Sequence, residues 1–130
     1  MIRTTVTLLA LTAALAALVA PANAAPGWRT AAIGQDREDG DYVFMFFSIG
    51  ARMLDVHELR LVSTGSSRTK SDVSVTCYRG SNEASRKKTI RLAAKATTGL
   101  PLPIRGGTCK VDVNTESDQA GTISLAVQYR

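Results

Sequence analysis

Three segments of the chain alternate between apolar and polar residues, and this period of two constrains the fold more than any other feature. In residues 72–78, 108–114 and 122–129, apolar side chains, many of them β-branched, stand at every second position. Successive side chains of an extended strand point to opposite faces, so alternation gathers the apolar groups on one face. The pattern predicts strands buried on one face and solvated on the other, which is typical of antiparallel sheets.

The N-terminus has the layout of a secretory signal peptide over residues 1–24. Arg3 precedes an apolar run at positions 6–19, and an Ala-Asn-Ala sequence then ends at Ala24. The run is shorter than the roughly 20 apolar residues that span a bilayer, so we expect cleavage after Ala24 rather than a retained anchor. The mature chain, 25–130, is expected to form one domain without a transmembrane segment, secreted, periplasmic or held at the cell envelope. Its alanine-rich and arginine-rich composition suggests a bacterial source.

The only two cysteines of the sequence, Cys77 and Cys109, both fall on the apolar faces of predicted strands. An even pair of cysteines in an exported chain predicts a disulfide. The bridge is expected to lie in the core, beside Val75 and Val111. A closed zinc site is not expected, because it needs four ligands and His57 is the only histidine.

Other segments predict further strands. Residues 28–33 and 56–62 are strand candidates, although 53–61 permits a short helix instead. Residues 42–49 are apolar on both faces, which predicts a central strand covered on both sides. Residues 82–97 stay open between strand and helix, because alternation at one end favours a strand while many alanine, lysine and arginine residues favour a helix.

These elements predict an all-β fold. We expect a small antiparallel β-sandwich of about seven to eight strands with one disulfide, because short strands separated by glycine-rich turns are typical of sandwiches and barrels. The alternative is an α+β domain with a helix near 82–97.

Five cations crowd into ten residues of the ambiguous segment, and Glu83 is the one carboxylate between Asp72 and Asp112. The five are Arg86, Lys87, Lys88, Arg91 and Lys95. Such a patch predicts contact with an anionic envelope polymer, or with a protein. The alternative is a charged edge strand that resists pairing with other strands. Nucleic acid is not expected, because stacking aromatics are not interleaved with these cations.

A dense acidic stretch suggests a weaker hypothesis, a calcium site in an oxygen-rich loop. Its carboxylates are Asp36, Glu38, Asp39 and Asp41. Their spacing does not match an EF-hand, and the alternative is a solvated loop.

No catalytic motif stands out. A G-x-S-x-G nucleophile elbow is missing from the sequence, and His57 lies on the polar side of an amphipathic segment. We therefore expect a non-catalytic binding or structural module that uses no cofactor. The alternative is a protease inhibitor acting through residues 99–107, where Leu102 or Arg105 would enter the protease on a loop stiffened by two prolines.

Overall fold

The computed structural model describes residues 27–38, 40 and 45–130. The predicted signal peptide, 1–24, and the predicted first mature residue, Ala25, lie outside the described residues. None of the described residues belongs to a helix that is long and apolar enough to cross a bilayer.

The described residues form eight β-strands and no helix. The strands are β1 (Arg29–Glu38), β2 (Met45–Val56), β3 (Leu59–Ser63), β4 (Thr69–Arg79), β5 (Asn82–Leu92), β6 (Thr97–Gly99), β7 (Gly107–Ser117) and β8 (Gly121–Tyr129). The predicted β-sandwich is therefore confirmed, and the α+β alternative is wrong.

The strands make two four-stranded antiparallel sheets, in the orders β1-β8-β3-β6 and β2-β7-β4-β5. Among the described strands, β4 and β5 are the only consecutive pair in one sheet; every other connection crosses to the opposite sheet. The β4–β5 hairpin closes between Arg79 and Asn82, with Gly80 at a φ of 60°. Glycine fits this turn position because it adopts a positive φ without a steric penalty.

The core lies between the sheets, and alternation decides which side chains enter it. Val73 and Val75 of β4 stand opposite Val113 and Val111 of β7, and all four are 2% exposed or less. Val75 and Val111 also flank the disulfide, as predicted. Cys77 and Cys109 are directly opposite each other in the sheet, with their Cα atoms 4.1 Å apart and both residues fully buried.

The pairing of β5 with β4 resolves the ambiguous segment. The two strands pair in register from Thr69 with Leu92 to Arg79 with Asn82. Helix propensity differs among these residues by only tenths of a kcal/mol each, and the hydrogen bonds of a continuous ladder outweigh it.

The prediction of a central strand covered on both faces is wrong for residues 45–49, and residues 42–44 lie outside the described residues. The described strand runs from Met45 through Gly50 to Val56, and β2 is an edge strand whose Phe46 is 57% exposed. The strand covered on both faces is β8, where Ser124, Ala126 and Gln128 are buried on the outer side as well. This second face is buried because its side chains are small or hydrogen-bonded and because β8 lies between β1 and β3.

The short helix considered for 53–61 is also wrong. Met53 and Val56 are buried at the end of β2, and the chain crosses to the other sheet at His57 and Glu58. Asp55 takes a φ of 53° where the register between β2 and β7 shifts. The irregularity and the change of sheet leave no room for a helical turn.

The buried bridge should contribute a large part of the stability. Changing both Cys77 and Cys109 to alanine is expected to lower the free energy of unfolding by about 3–4 kcal/mol, because the unfolded chain then loses a closed loop of about 30 residues. Urea denaturation measures this difference. Thr76→Ala, at the partly exposed residue beside the bridge, is the control and should change stability by less than about 1 kcal/mol. Equal midpoints for the double variant and the unsubstituted protein would contradict the assignment.

Candidate functional site

The predicted basic residues lie along β5, at the free edge of the β2-β7-β4-β5 sheet. Four belong to the strand, and the fifth, Lys95, lies in the following turn at a φ of 55°. All five side chains are exposed. At about 3.3 Å per residue, the eleven residues of β5 make a ridge about 35 Å long.

The register divides the cations of β5 between its two faces. Lys87 and Arg91 stand beside Ser74 and Lys70 of β4, on the outer face of the sheet. Arg86 and Lys88 stand beside the buried residues Val75 and Val73, on the inner face. The structure therefore brings these residues to one edge, with positive charge on both of its sides.

The inner cations are exposed because the opposite sheet does not cover them. The facing edge strand, β6, has only three residues, and β5 packs extensively against β4 alone. Ile90 and Leu92 at the end of β5 are buried, whereas the strand from Asn82 to Thr89 is exposed apart from half-buried Ala84. Charges that point inward on an edge strand are a known protection against edge-to-edge pairing.

Cations in the middle of the same sheet have carboxylate partners. Lys70 Nζ lies 3.7 Å from Glu116 Oε1, and Lys110 Nζ lies 4.0 Å from Asp112 Oδ2. Within the described part of the chain, no ion pair of 4 Å or less involves any of the five basic residues of the β5 ridge and its turn. Their positive charge is left available to an external anion.

A cleft of about 480 Å³ lies where β4 begins and where β5 and β7 end. Arg91 links it to the ridge, and Arg68, Lys70, Glu116 and Asp118 add charge to its rim. These four residues are not among those predicted from the sequence. They come from three separate segments, and no local pattern distinguishes them from other polar positions at strand ends.

The outer face of the sheet also carries a shallow polar depression of about 430 Å³ beside Lys87. Its carboxylates, Asp72 and Asp112, are already engaged. Asp72 Oδ1 accepts a hydrogen bond of 2.8 Å from Thr89 Oγ1, and Asp112 lies beside Lys110. Internal partners satisfy much of this surface.

Trp28 is held by the protein's own cations. The Cζ atoms of Arg60 and Arg130 lie 4.1 Å and 4.5 Å from the centre of its ring. Arg130 also forms an ion pair of 3.2 Å with Glu58. These contacts tie the region before β1 to the residue after β8, and they occupy the ring that a ligand would otherwise stack on.

The loop considered for protease inhibition packs onto the protein. Leu100 is buried, Leu102 and Ile104 pack against the core, and Gly106 N donates a 2.7 Å hydrogen bond to Val56 O. Arg105 is the exposed side chain of this loop. An inhibitory loop must project its primary residue into a protease, and Leu102 does not project.

His57 and the acidic stretch lie away from the β5 ridge. His57 is exposed, and its Nε2 is 2.9 Å from Asp55 Oδ1. Asp36 and Glu38 belong to the end of β1, where backbone N–H groups of Arg37 and Gly40 donate to them. Asp39 and Asp41, the other two residues of the calcium hypothesis, lie outside the described residues. Among the residues described, no group of three acidic, histidine or cysteine side chains is placed to hold a metal ion.

No family model matches the sequence, and no curated protein matches it. Among solved structures, it is similar to that of TmCBM61 in complex with β-1,4-galactotriose, with 16% sequence identity, 80% of this chain and 87% of that chain covered, and a TM-score of 0.33. A likeness of this size carries no argument about a ligand, so the function must be argued from the site.

Replacing the inner cations should expose the edge to pairing. Arg86→Val with Lys88→Val is expected to leave the fold intact and to produce dimers or larger assemblies, because an apolar, uncharged edge strand pairs with other strands. Size-exclusion chromatography with light scattering measures the change. The matched control, Lys87→Val with Arg91→Val, removes the same charge from the outer face and should keep the oligomeric state of the unsubstituted protein. Identical behaviour of the two variants would show that total charge, and not its inward direction, protects the edge.

Proposed function

We propose that the protein is an exported, non-catalytic binding module that holds an anionic polymer along the β5 ridge. The observation that carries this proposal is a set of five exposed cations without ion-pair partners, four on one sheet edge and the fifth, Lys95, in the turn that follows, whereas the central lysines of the same sheet are paired.

The spacing of the cations favours a polymer over a small anion. Arg86 and Arg91 are five residues apart, which is about 17 Å along a strand. A single small anion cannot contact both ends of that span. A chain with repeated negative groups can, and each contact adds to the others.

The ridge presents charge and little aromatic surface. Tyr78 is the nearest exposed aromatic side chain, at the start of the β4–β5 hairpin beside Glu83. Single-stranded nucleic acids are usually held by aromatic stacking between basic contacts, which this ridge lacks. The shape and charge favour a polyanion bound through its acidic groups.

The disulfide supports a location outside the cytoplasm. Cys77 and Cys109 are joined and fully buried in the core. Disulfides of this structural kind form and persist in oxidising compartments. An anionic polymer of the cell envelope or its surroundings would be accessible to a protein in such a compartment.

Removing cations from the ridge tests the proposal. The triple change Lys87→Ser, Lys88→Ser and Arg91→Ser is expected to weaken binding to polygalacturonate, a model polyanion, by at least about tenfold, because the Coulomb attraction is local at physiological salt. Exposed substitutions usually change stability by less than about 0.5 kcal/mol, so the melting temperature should hold. Binding by the unsubstituted protein should also fall steeply as salt is raised. Isothermal titration calorimetry measures both effects.

A charge-matched control separates the ridge from total charge. Arg29→Ser, Arg52→Ser and Lys110→Ser remove three exposed cations elsewhere on the sandwich. This variant should keep most of the affinity. An equal loss in the two triple variants would show that binding follows net charge and would reject the ridge as the site.

A further inference from the structure

The cleft at the end of the ridge has a charge that suits one anionic group. Lys70 and Glu116, on its rim, form an ion pair with each other. Arg68, Arg91 and Asp118 form no ion pair of 4 Å or less with another described residue. The lining residues therefore carry a net charge of +1. Two of the cations are guanidinium groups, and each can donate several hydrogen bonds.

The cleft also offers an apolar surface and hydrogen-bond acceptors. Leu92 and Ala93 contribute carbon to its lining, while the carboxylates of Glu116 and Asp118 can accept hydrogen bonds. A complementary ligand carries an acidic group for the guanidinium groups, hydroxyl donors for the carboxylates and a compact ring for the apolar surface. An acidic sugar has all three. The volume, about 480 Å³, is within the range of roughly 300–1,000 Å³ found for small-ligand sites.

One residue of the cleft lining, Thr69, has a hydroxyl without a hydrogen-bond partner. Thr69 lines the cleft, is 5% exposed, and its Oγ1 is buried without a hydrogen-bond partner. A buried hydroxyl without a partner carries a cost of about 1–3 kcal/mol. An oxygen of a ligand that reached Oγ1 from the cleft would satisfy it.

We propose that this cleft binds the terminal acidic sugar of an anionic polysaccharide whose following units lie along β5. The inference rests on the proposed function and specifies its ligand class and its orientation. Arg91 connects the cleft to the ridge. It lines the cleft, and it lies on the outer face of β5 together with Thr89, two residues away, and Lys87, four residues away. From Arg91 the bound chain would pass Lys88, Lys87 and Arg86 in turn.

Three small probes test the ligand class on the full-length protein labelled with ¹⁵N. Galacturonate carries both the ring and the carboxylate, galactose lacks the carboxylate, and acetate lacks the ring. We expect saturable chemical-shift changes with galacturonate at residues 68–70, 91–93 and 116–118, and weak or no changes there with the other two. Equal changes with acetate would reduce the cleft to an anion site and overturn the sugar assignment.

Two substitutions test the site without unfolding it. Arg68→Gln should weaken galacturonate binding about tenfold, because it replaces a charge-assisted hydrogen bond. Thr69→Val should weaken it about fivefold and leave the melting temperature unchanged or higher, since the hydroxyl has no partner to lose. Ser63→Ala removes the other buried hydroxyl without a partner and should leave binding unaltered.

The outcomes distinguish the two proposals. If polygalacturonate binds through Lys87, Lys88 and Arg91 while galacturonate leaves the cleft resonances unmoved, the proposed function stands and the end-binding inference is wrong. If galacturonate binds the cleft but the polymer ignores the ridge, the proposed function is wrong and the cleft is a site for a free acidic sugar. Shifts confined to residues 86–88 would place the sugar on the ridge and also reject the cleft.

Discussion

The register of β4 between β7 and β5 is the constraint on which the rest of the structure depends. The Cys77–Cys109 bridge joins residues directly opposite each other, so β4 and β7 cannot slide past one another. A slip of one residue would turn Val73 and Val75 outward and bury Asp72 and Ser74, because strand side chains alternate. Fixing this register therefore fixes which side chains of the whole sheet are inside and which are available to a ligand.

The edge strands β5 and β6 of the two sheets differ in length, and this difference leaves the charged edge exposed. Arg86 and Lys88 are on the inner face of the sheet, opposite buried valines of β4. Covering them with a long opposing strand would bury two charges without partners, which is far more costly than leaving them in water. The three-residue β6 leaves them exposed. One arrangement thus discourages edge pairing and presents cations along β5, at one edge of the sandwich.

The cleft adjoins the ridge because the last residues of β5 enter the core. Ile90 and Leu92 are buried at that end, so apolar carbon lies next to Arg91. Arg68 and Asp118 reach the same place from the loops before β4 and after β7. The result is a change of surface character along one strand, from an exposed cationic ridge to a cleft lined by both charge and carbon. A polymer and its end group would meet different chemistry there.

Local alternation was enough to predict the strands around Val73, Val111 and Leu125 and the buried disulfide, because strand periodicity is a property of adjacent residues. It could not decide residues 82–97, whose propensities are balanced until β4 supplies a ladder. It also predicted that β2 is covered on both faces and that β8 is solvated on one, whereas β2 is an edge strand and β8 is covered on both faces. Position within a sheet depends on strand order and not on local hydropathy. The cleft could not be predicted at all. The sequence by itself determined which residues are cationic and which segments alternate. Only the tertiary structure decided which cations are left without an ion-pair partner, because ion pairing and exposure depend on contacts between strands distant in the chain.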